Sequence, residues 1–187
     1  VENAWLVPLA ALVGLVIGSF LNVLILRLPE SESVVAPASR CPRCKTPLRW
    51  YHNVPLVSWL ALRGRCAFCK EPISWQYPAV EASTAAIWGA NVWALGATPE
   101  ALRAIVFLTL LLAIAVTDAR FYIIPDELSL GGAALGLVLS LLPGQPSIVE
   151  AVIGLVVGGG VLWIVAIVGT WAFRKEAMGG GDIKMLA

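Results

Sequence analysis

Charge is scarce in this chain: of its 187 residues only 13% are Asp, Glu, Lys or Arg, and the two signs nearly cancel to a net charge of +1. There is no basic excess to neutralise a phosphate backbone, so nucleic-acid binding has no compositional support and any charged partner must be recognised locally. The chain also lacks a basic stretch ahead of its first apolar run, which begins at Ala4 and carries no charge up to Leu26. Without that stretch, and with a run longer than a secretory h-region, it reads as a retained span. No strand followed by G-x-G-x-x-G and a helix is present, so Gly158-Gly-Gly160, in the middle of an apolar run, reads as close helix packing and not as a phosphate loop. No internal repeat or low-complexity tract is visible. The single histidine, His52, lies in Trp50-Tyr-His-Asn-Val-Pro55 and reads as a packing or hydrogen-bonding residue.

What the chain has in abundance is apolar surface, 59% of its residues, too much for an ordinary soluble domain. Runs nearly free of charge predict five helices, at about 4–27, 80–97, 101–117, 128–142 and 150–173, with a sixth beginning near Asp182. Arg103, close to one end of the third, has a side chain long enough to snorkel to an interface, and Pro143 stops the fourth. The terminal Asp182-Ile-Lys-Met-Leu-Ala187 looks like the start of another span, so the chain reads as C-terminally incomplete. The expected fold is all-α, a polytopic transmembrane helix bundle. Residues 1–27 supply the first span, 28–78 a polar insert, and 79–187 a membrane core.

The insert holds Arg40, Arg43, Lys45, Arg49, Arg63, Arg65 and Lys70, seven of the 13 basic residues, which puts it on the cytoplasmic side by the positive-inside rule. Threading the helices from there puts Gly96–Glu100 and Pro143–Ser147, which contain no Lys or Arg, outside. Arg120, Arg174 and Lys175 then lie inside, and Asp118 and Asp182 both reach the cytoplasmic boundary.

Two constellations carry chemistry. Cys41-Pro-Arg-Cys44 and Cys66-Ala-Phe-Cys69 have the spacing of two knuckles that close a tetrahedral four-thiolate site, for which zinc is the favoured ion. A reducing cytosol argues against disulfides. With four thiolates no coordination position stays open, so the metal's role is structural. Iron on the same ligands, or two unconnected thiol pairs, are the alternatives. The second constellation is acidic. Asp118 closes Ala115-Val-Thr-Asp118 at the end of the third apolar run, and Asp182 follows Met178-Gly-Gly-Gly181, a segment slim enough to pass close to another helix or an extended peptide. Two carboxylates brought together at a partly dry site share a proton, the state a hydrolase needs. One takes a proton from water while the other donates to the scissile carbonyl. The residues alone leave open whether Asp118 is such a group or a water-satisfied helix end, whereas the glycine run favours a role for Asp182. Asp126 and Glu127, after Pro125, and Glu81, at the start of the second helix, read as acids that suit helix N-termini.

Gly18-Ser-Phe-Leu-Asn-Val23 with Arg27-Leu-Pro29, the two Cys-x-x-Cys pairs, Tyr77-Pro-Ala-Val-Glu81, Asp118 with Pro125-Asp126, and Gly179-Gly-Gly-Asp182-Ile-Lys184 together resemble the type IV prepilin peptidase family over nearly the whole chain. The last segment fits that family's G-x-G-D signature. The resemblance implies an aspartic endopeptidase of the bacterial inner membrane with Asp118 and Asp182 as its catalytic pair. It implies cleavage of prepilin or pseudopilin leader peptides after a glycine that precedes a hydrophobic segment. It further implies methylation of the new N-terminal amine from S-adenosylmethionine, for which the residues identify no site. Two other classes compete: a proton- or cation-coupled transporter using intramembrane acids, which would place them near the midplane of repeat-related helices, and a scaffold that docks through the cysteine insert.

Overall fold

A computed structural model describes residues 4–173; Asp182 and its glycine run, Arg174 and Lys175 lie outside the described residues. Among the described residues the fold is all-α, with helices α1 (Leu6–Arg27), α2 (Val57–Ala61), α3 (Gln76–Leu95), α4 (Pro99–Phe121), α5 (Asp126–Leu139) and α6 (Ile148–Phe173), and a 3-10 turn at Trp50–Asn53. Among the described residues the extended pairing is limited to two isolated bridges, Arg40 with Pro47 and Arg65 with Pro72. All five expected long helices form. Helices α3 and α4 overrun the apolar runs that predicted them, because a first turn containing Pro78 and a last turn containing Asp118 and Arg120 are polar but still helical.

Three helices, Leu6–Arg27, Pro99–Phe121 and Ile148–Trp171, are long and apolar enough to cross a bilayer. The chain is a multi-pass membrane protein. Helix α6 is hydrophobic all round, and none of its apolar window is buried by protein, as suits a helix facing lipid. Helix α5 has 14 residues and so runs about 21 Å, short of a ~30 Å hydrocarbon core.

The chain divides into two compact units, Val1–Thr98 and Pro99–Ala187. In the first, α1 and α3 run antiparallel in close contact: Gly14 faces Thr84 and Ala85, Gly18 faces Glu81, and Gly89 faces Val7 and Ala11. The approach is so close that a Cβ on Gly18 would lie 2.8 Å from the Glu81 Cα. Gly14-x-x-x-Gly18 is therefore a small-residue packing seam. Asn22, 2% exposed, donates its side-chain amide to the carbonyls of Gly18 and Tyr77 and pins the polar end of the pair. Gly96, at φ +69°, ends α3 in a conformation that costs glycine little.

In the second unit, Pro99 opens α4, Pro125 caps α5 with Asp126 and Glu127 in its first turn, and Ser147 with Glu150 forms a reciprocal capping box on α6. Arg103 does more than reach an interface. Its guanidinium donates to the carbonyls of Leu139, Leu142, Pro143 and Gln145 and satisfies the orphan acceptors where α5 ends.

Candidate metal centre and candidate active site

The insert is built on a repeat that reading the sequence for repeats did not reveal. Ser39-Arg-Cys-Pro-Arg-Cys-Lys-Thr-Pro-Leu-Arg-Trp50 and Gly64-Arg-Cys-Ala-Phe-Cys-Lys-Glu-Pro-Ile-Ser-Trp75 share Arg, Cys, Cys, Lys, Pro and Trp in register. They also share the backbone hydrogen bonds of the turn. In each knuckle the first cysteine's N–H donates across the turn, Cys41 to Thr46 and Cys66 to Glu71. The lysine N–H returns to that cysteine's carbonyl, and Lys45 and Lys70 both take positive φ, at 56° and 62°. Leu48 then bonds Ser39 and Ile73 bonds Gly64. A turn of this shape directs both sulfurs of its Cys-x-x-Cys to one side.

The two knuckles converge. The four Sγ atoms of Cys41, Cys44, Cys66 and Cys69 all lie within 4.8 Å of one another, and Cys41 and Cys69, from opposite knuckles, are 3.8 Å apart. Four thiolates around a tetrahedral ion at 2.3 Å would sit about 3.8 Å apart. The cysteines are free, so the arrangement is one four-sulfur cluster that could hold a metal ion, and not two separate pairs. Its electrostatics agree. The Thr46 side chain and amide hold the Cys44 thiol down at about 6. The amides of Cys69 and Phe68 lower Cys66. For Cys69 the Glu71 amide pulls downward, but burial and the neighbouring sulfurs of Cys66, Cys44 and Cys41 push it up to about 11. Four thiolates cannot gather here without a cation to offset their repulsion, so the donor set fits a soft divalent ion. Arg43 and Glu71 tie the knuckles together at 3.1 Å in an exposed ion pair. His52 stands outside the four-sulfur group, edge-on to Tyr51 and to Phe68 of the second knuckle at 4.4 and 5.5 Å. It packs, as its setting in the sequence indicates.

Asp118 sits in the last full turn of α4 and is exposed. Its carbonyl accepts from the N–H of Tyr122, whose positive φ of 55° ends the helix. Directly before it Thr117 is fully buried, its hydroxyl turned back on the Ala113 carbonyl. The helix thus presents one inward polar group that is satisfied and, one residue on, a carboxylate open to solvent. Asp126 and Glu127 occupy the first turn of α5, where their charge suits the helix end.

The residue that sequence reasoning undervalued is Glu81. It does not merely suit the start of α3: it is 7% exposed, and its carboxylate accepts from the Leu56 N–H at 2.8 Å, with the Ser19 side chain close by. The legible signal was an acid one turn inside an apolar helix and opposite a glycine seam.

Residues 12–95 match the bacterial peptidase A24 N-terminal domain, and residues 105–187 match the type IV leader peptidase family. Each match falls within one of the two units of the fold. Curated relatives named prepilin leader peptidase/N-methyltransferase include those of Neisseria gonorrhoeae, 35% identical with 100% of this chain and 74% of the relative covered, and of Klebsiella pneumoniae, 39% identical with 93% and 79% covered. The Myxococcus xanthus relative is 41% identical over 93% of this chain, which spans 52% of that relative's length. No solved structure gives a significant match. Taken with a helical membrane fold and a four-cysteine insert, these similarities mean that the chain belongs to the type IV leader peptidase family.

Proposed function

We propose that the chain is a membrane-embedded aspartic endopeptidase that removes the leader peptide of type IV prepilins or pseudopilins at the cytoplasmic face of the inner membrane. It then N-methylates the amine it has exposed. One observation carries the reading above the others: an exposed carboxylate, Asp118, stands in the last turn of a membrane-capable helix, within the segment similar to the type IV leader peptidase family.

In this reading Asp118 and Asp182 hold one proton between them. The ionised member takes a proton from water as the water oxygen bonds to the scissile carbonyl carbon, and the protonated member donates to the carbonyl oxygen. Collapse of the tetrahedral species breaks the C–N bond. The leaving nitrogen takes up a proton, and the pair returns to its starting state. Methylation would be a separate event: S-adenosylmethionine, when bound, would supply the methyl group for the new N-terminal nitrogen once that amine has lost a proton. The Cys41, Cys44, Cys66 and Cys69 thiolates would hold zinc with no position open, so the ion's contribution is to fold the insert.

Purified protein incubated with a peptide carrying a leader, a glycine and a hydrophobic segment should cut after the glycine. Asp118→Asn and Asp182→Asn should each abolish that cut with helicity and metal content retained. Intact peptide after incubation with the unmutated protein would reject the peptidase reading in favour of a transporter or scaffold.

A further inference from the structure

Glu81 is a buried carboxylate that neither proteolysis nor metal binding uses. Among the described residues no ion pair involves Glu81. Such a group persists only where hydrogen-bond donors are aimed at it. Its neighbours come from two different parts of the fold, and one of them, Leu56, donates to it. Ser19 belongs to α1, one residue past the glycine whose Cβ would touch the Glu81 Cα at 2.8 Å. Leu56 belongs to the insert, at the head of α2, in the stretch that joins the knuckle of Cys41 and Cys44 to that of Cys66 and Cys69. Leu56 takes φ +58°, a left-handed conformation unusual for leucine, and its N–H meets Glu81 Oε2 at 2.8 Å.

We infer that Glu81 is a positioning residue that docks the four-cysteine insert onto the α1/α3 pair, by accepting the Leu56 amide on a carboxylate that the close Gly18 contact holds in place. The connection makes the linker between the knuckles answer to two constraints at once, the four-sulfur cluster at its ends and the helix pair at its middle. Loss of the Glu81 acceptor frees the middle, and the cluster then holds its ion less tightly. Only that second consequence rests on the proposed metal reading. The first, a linker fixed to α3, stands on the Leu56 bond alone.

The test uses the full-length protein in detergent, with metal content measured first and two readouts: the rate of tryptic cleavage at Arg49 and Arg63, which flank the linker, and the rate of metal transfer to a chromogenic chelator. Glu81→Ala should raise both on the order of tenfold, the effect of losing one charge-assisted hydrogen bond. Glu81→Gln retains an oxygen that can accept the Leu56 amide and should restore both to within about twofold of the unmutated protein. If Glu81→Ala does not fold, Ser19→Ala, which removes only the hydroxyl beside the carboxylate, should shift both readouts the same way by a smaller factor. Tryptic rates unchanged in Glu81→Ala, or in Ser19→Ala where that variant must stand in, would overturn the docking role, as would Glu81→Gln behaving like Glu81→Ala. Protein that carries no metal but still shows the tryptic difference would refute the metal reading and leave the docking role standing.

Discussion

Substituting alanine at Gly18 tests the closest contact in the fold. A Cβ there would sit 2.8 Å from the Glu81 Cα and 3.1 Å from both Cβ and Oγ1 of Thr84, and at Gly14 it would sit 2.9 Å from the Ala85 Cα and the Thr84 carbonyl. The nearest atoms are backbone, which cannot swing aside, so α1 must move away from α3. Overpacking of this kind costs about 1–3 kcal/mol. Alanine is favoured over glycine in a helix by about 0.8–1 kcal/mol, which offsets part of it. The net expectation is a loss of about 1 kcal/mol at either site. In a protein of this size that lowers a thermal midpoint by about 2–4 °C. Gly89 is the internal control. Its Cβ would meet Ala11 Cβ at 3.5 Å, an ordinary contact, so Gly89→Ala keeps the helix gain and should hold or raise the midpoint. The assay is thermal unfolding of each purified variant in one detergent, followed by far-UV circular dichroism. A Gly18→Ala midpoint at or above that of the unmutated protein, or a Gly89→Ala midpoint lowered as far as the other two, would refute the close-packed seam.

Asp118→Asn and Asp182→Asn together should be scarcely worse in leader cleavage than either alone, because each is assigned half of one proton cycle, and both should still methylate a substrate supplied already cleaved; Asp126→Asn should keep at least partial cleavage. Arg103→Ala should destabilise the protein by about 2 kcal/mol, since the guanidinium is the shared donor to the carbonyls of Leu139, Pro143 and Gln145, and Arg103→Lys should recover only part of this in the same melting assay. Purified protein should carry about one zinc per chain, and Cys→Ser at any of the four positions should lower expression or the midpoint before it alters cleavage; metal removal that spared the fold and reversibly stopped cleavage would contradict a structural ion. A cysteine introduced at Gln145 in an otherwise protected background should label from outside intact cells and one at Lys45 should not; the reverse would invert the topology.

The long helices were legible because a bilayer demands charge-free runs, and such runs need no tertiary context to be seen. Their ends were less so. Nothing in Gln76-Tyr-Pro-Ala79 is apolar enough to announce a helix, yet it forms the first turn of α3, and α4 carries Asp118 and Arg120 inside a helix that was expected to stop before Arg120. The cysteine spacing was sufficient to predict a four-sulfur cluster. The repeat around it escaped notice because its two copies agree at scattered positions, with identity concentrated in the cysteines, Arg, Lys, Pro and Trp. It becomes evident once the same hydrogen bonds recur 25 residues on. Arg103 could not have been assigned from sequence, since its acceptors lie 36 to 42 residues away, at the end of α5 and in the loop that follows. Gly14-x-x-x-Gly18 and Glu81 could have been: a small-residue pair facing a buried acid is a readable pattern, and the first glycine was passed over.

The insert itself argues that a metal held by its four cysteines would be structural. Within residues 28–75 only Cys41, Gly64 and Cys66 are buried. Two of those three are cluster ligands, so this stretch of chain has no apolar core to set against its conformational entropy. Aromatic contacts add little to make up the difference: Trp59 and Trp75 pack at 4.3 Å, but Trp75 is 72% exposed and Trp50 is 82% exposed. What holds the insert is a set of point attachments. Arg27 donates to the carbonyls of Ser33 and Pro37 at its entry, the four sulfurs join its two knuckles, and the Leu56 amide reaches Glu81 between them. Small segments without a core are the ones that recruit cross-links, and a metal held by four converging free cysteines would be one. An ion that supplies most of a segment's folding energy cannot also leave a coordination position open for substrate without weakening that fold, and four thiolates leave none. The burial pattern and the ligand count thus reach the same assignment by independent routes.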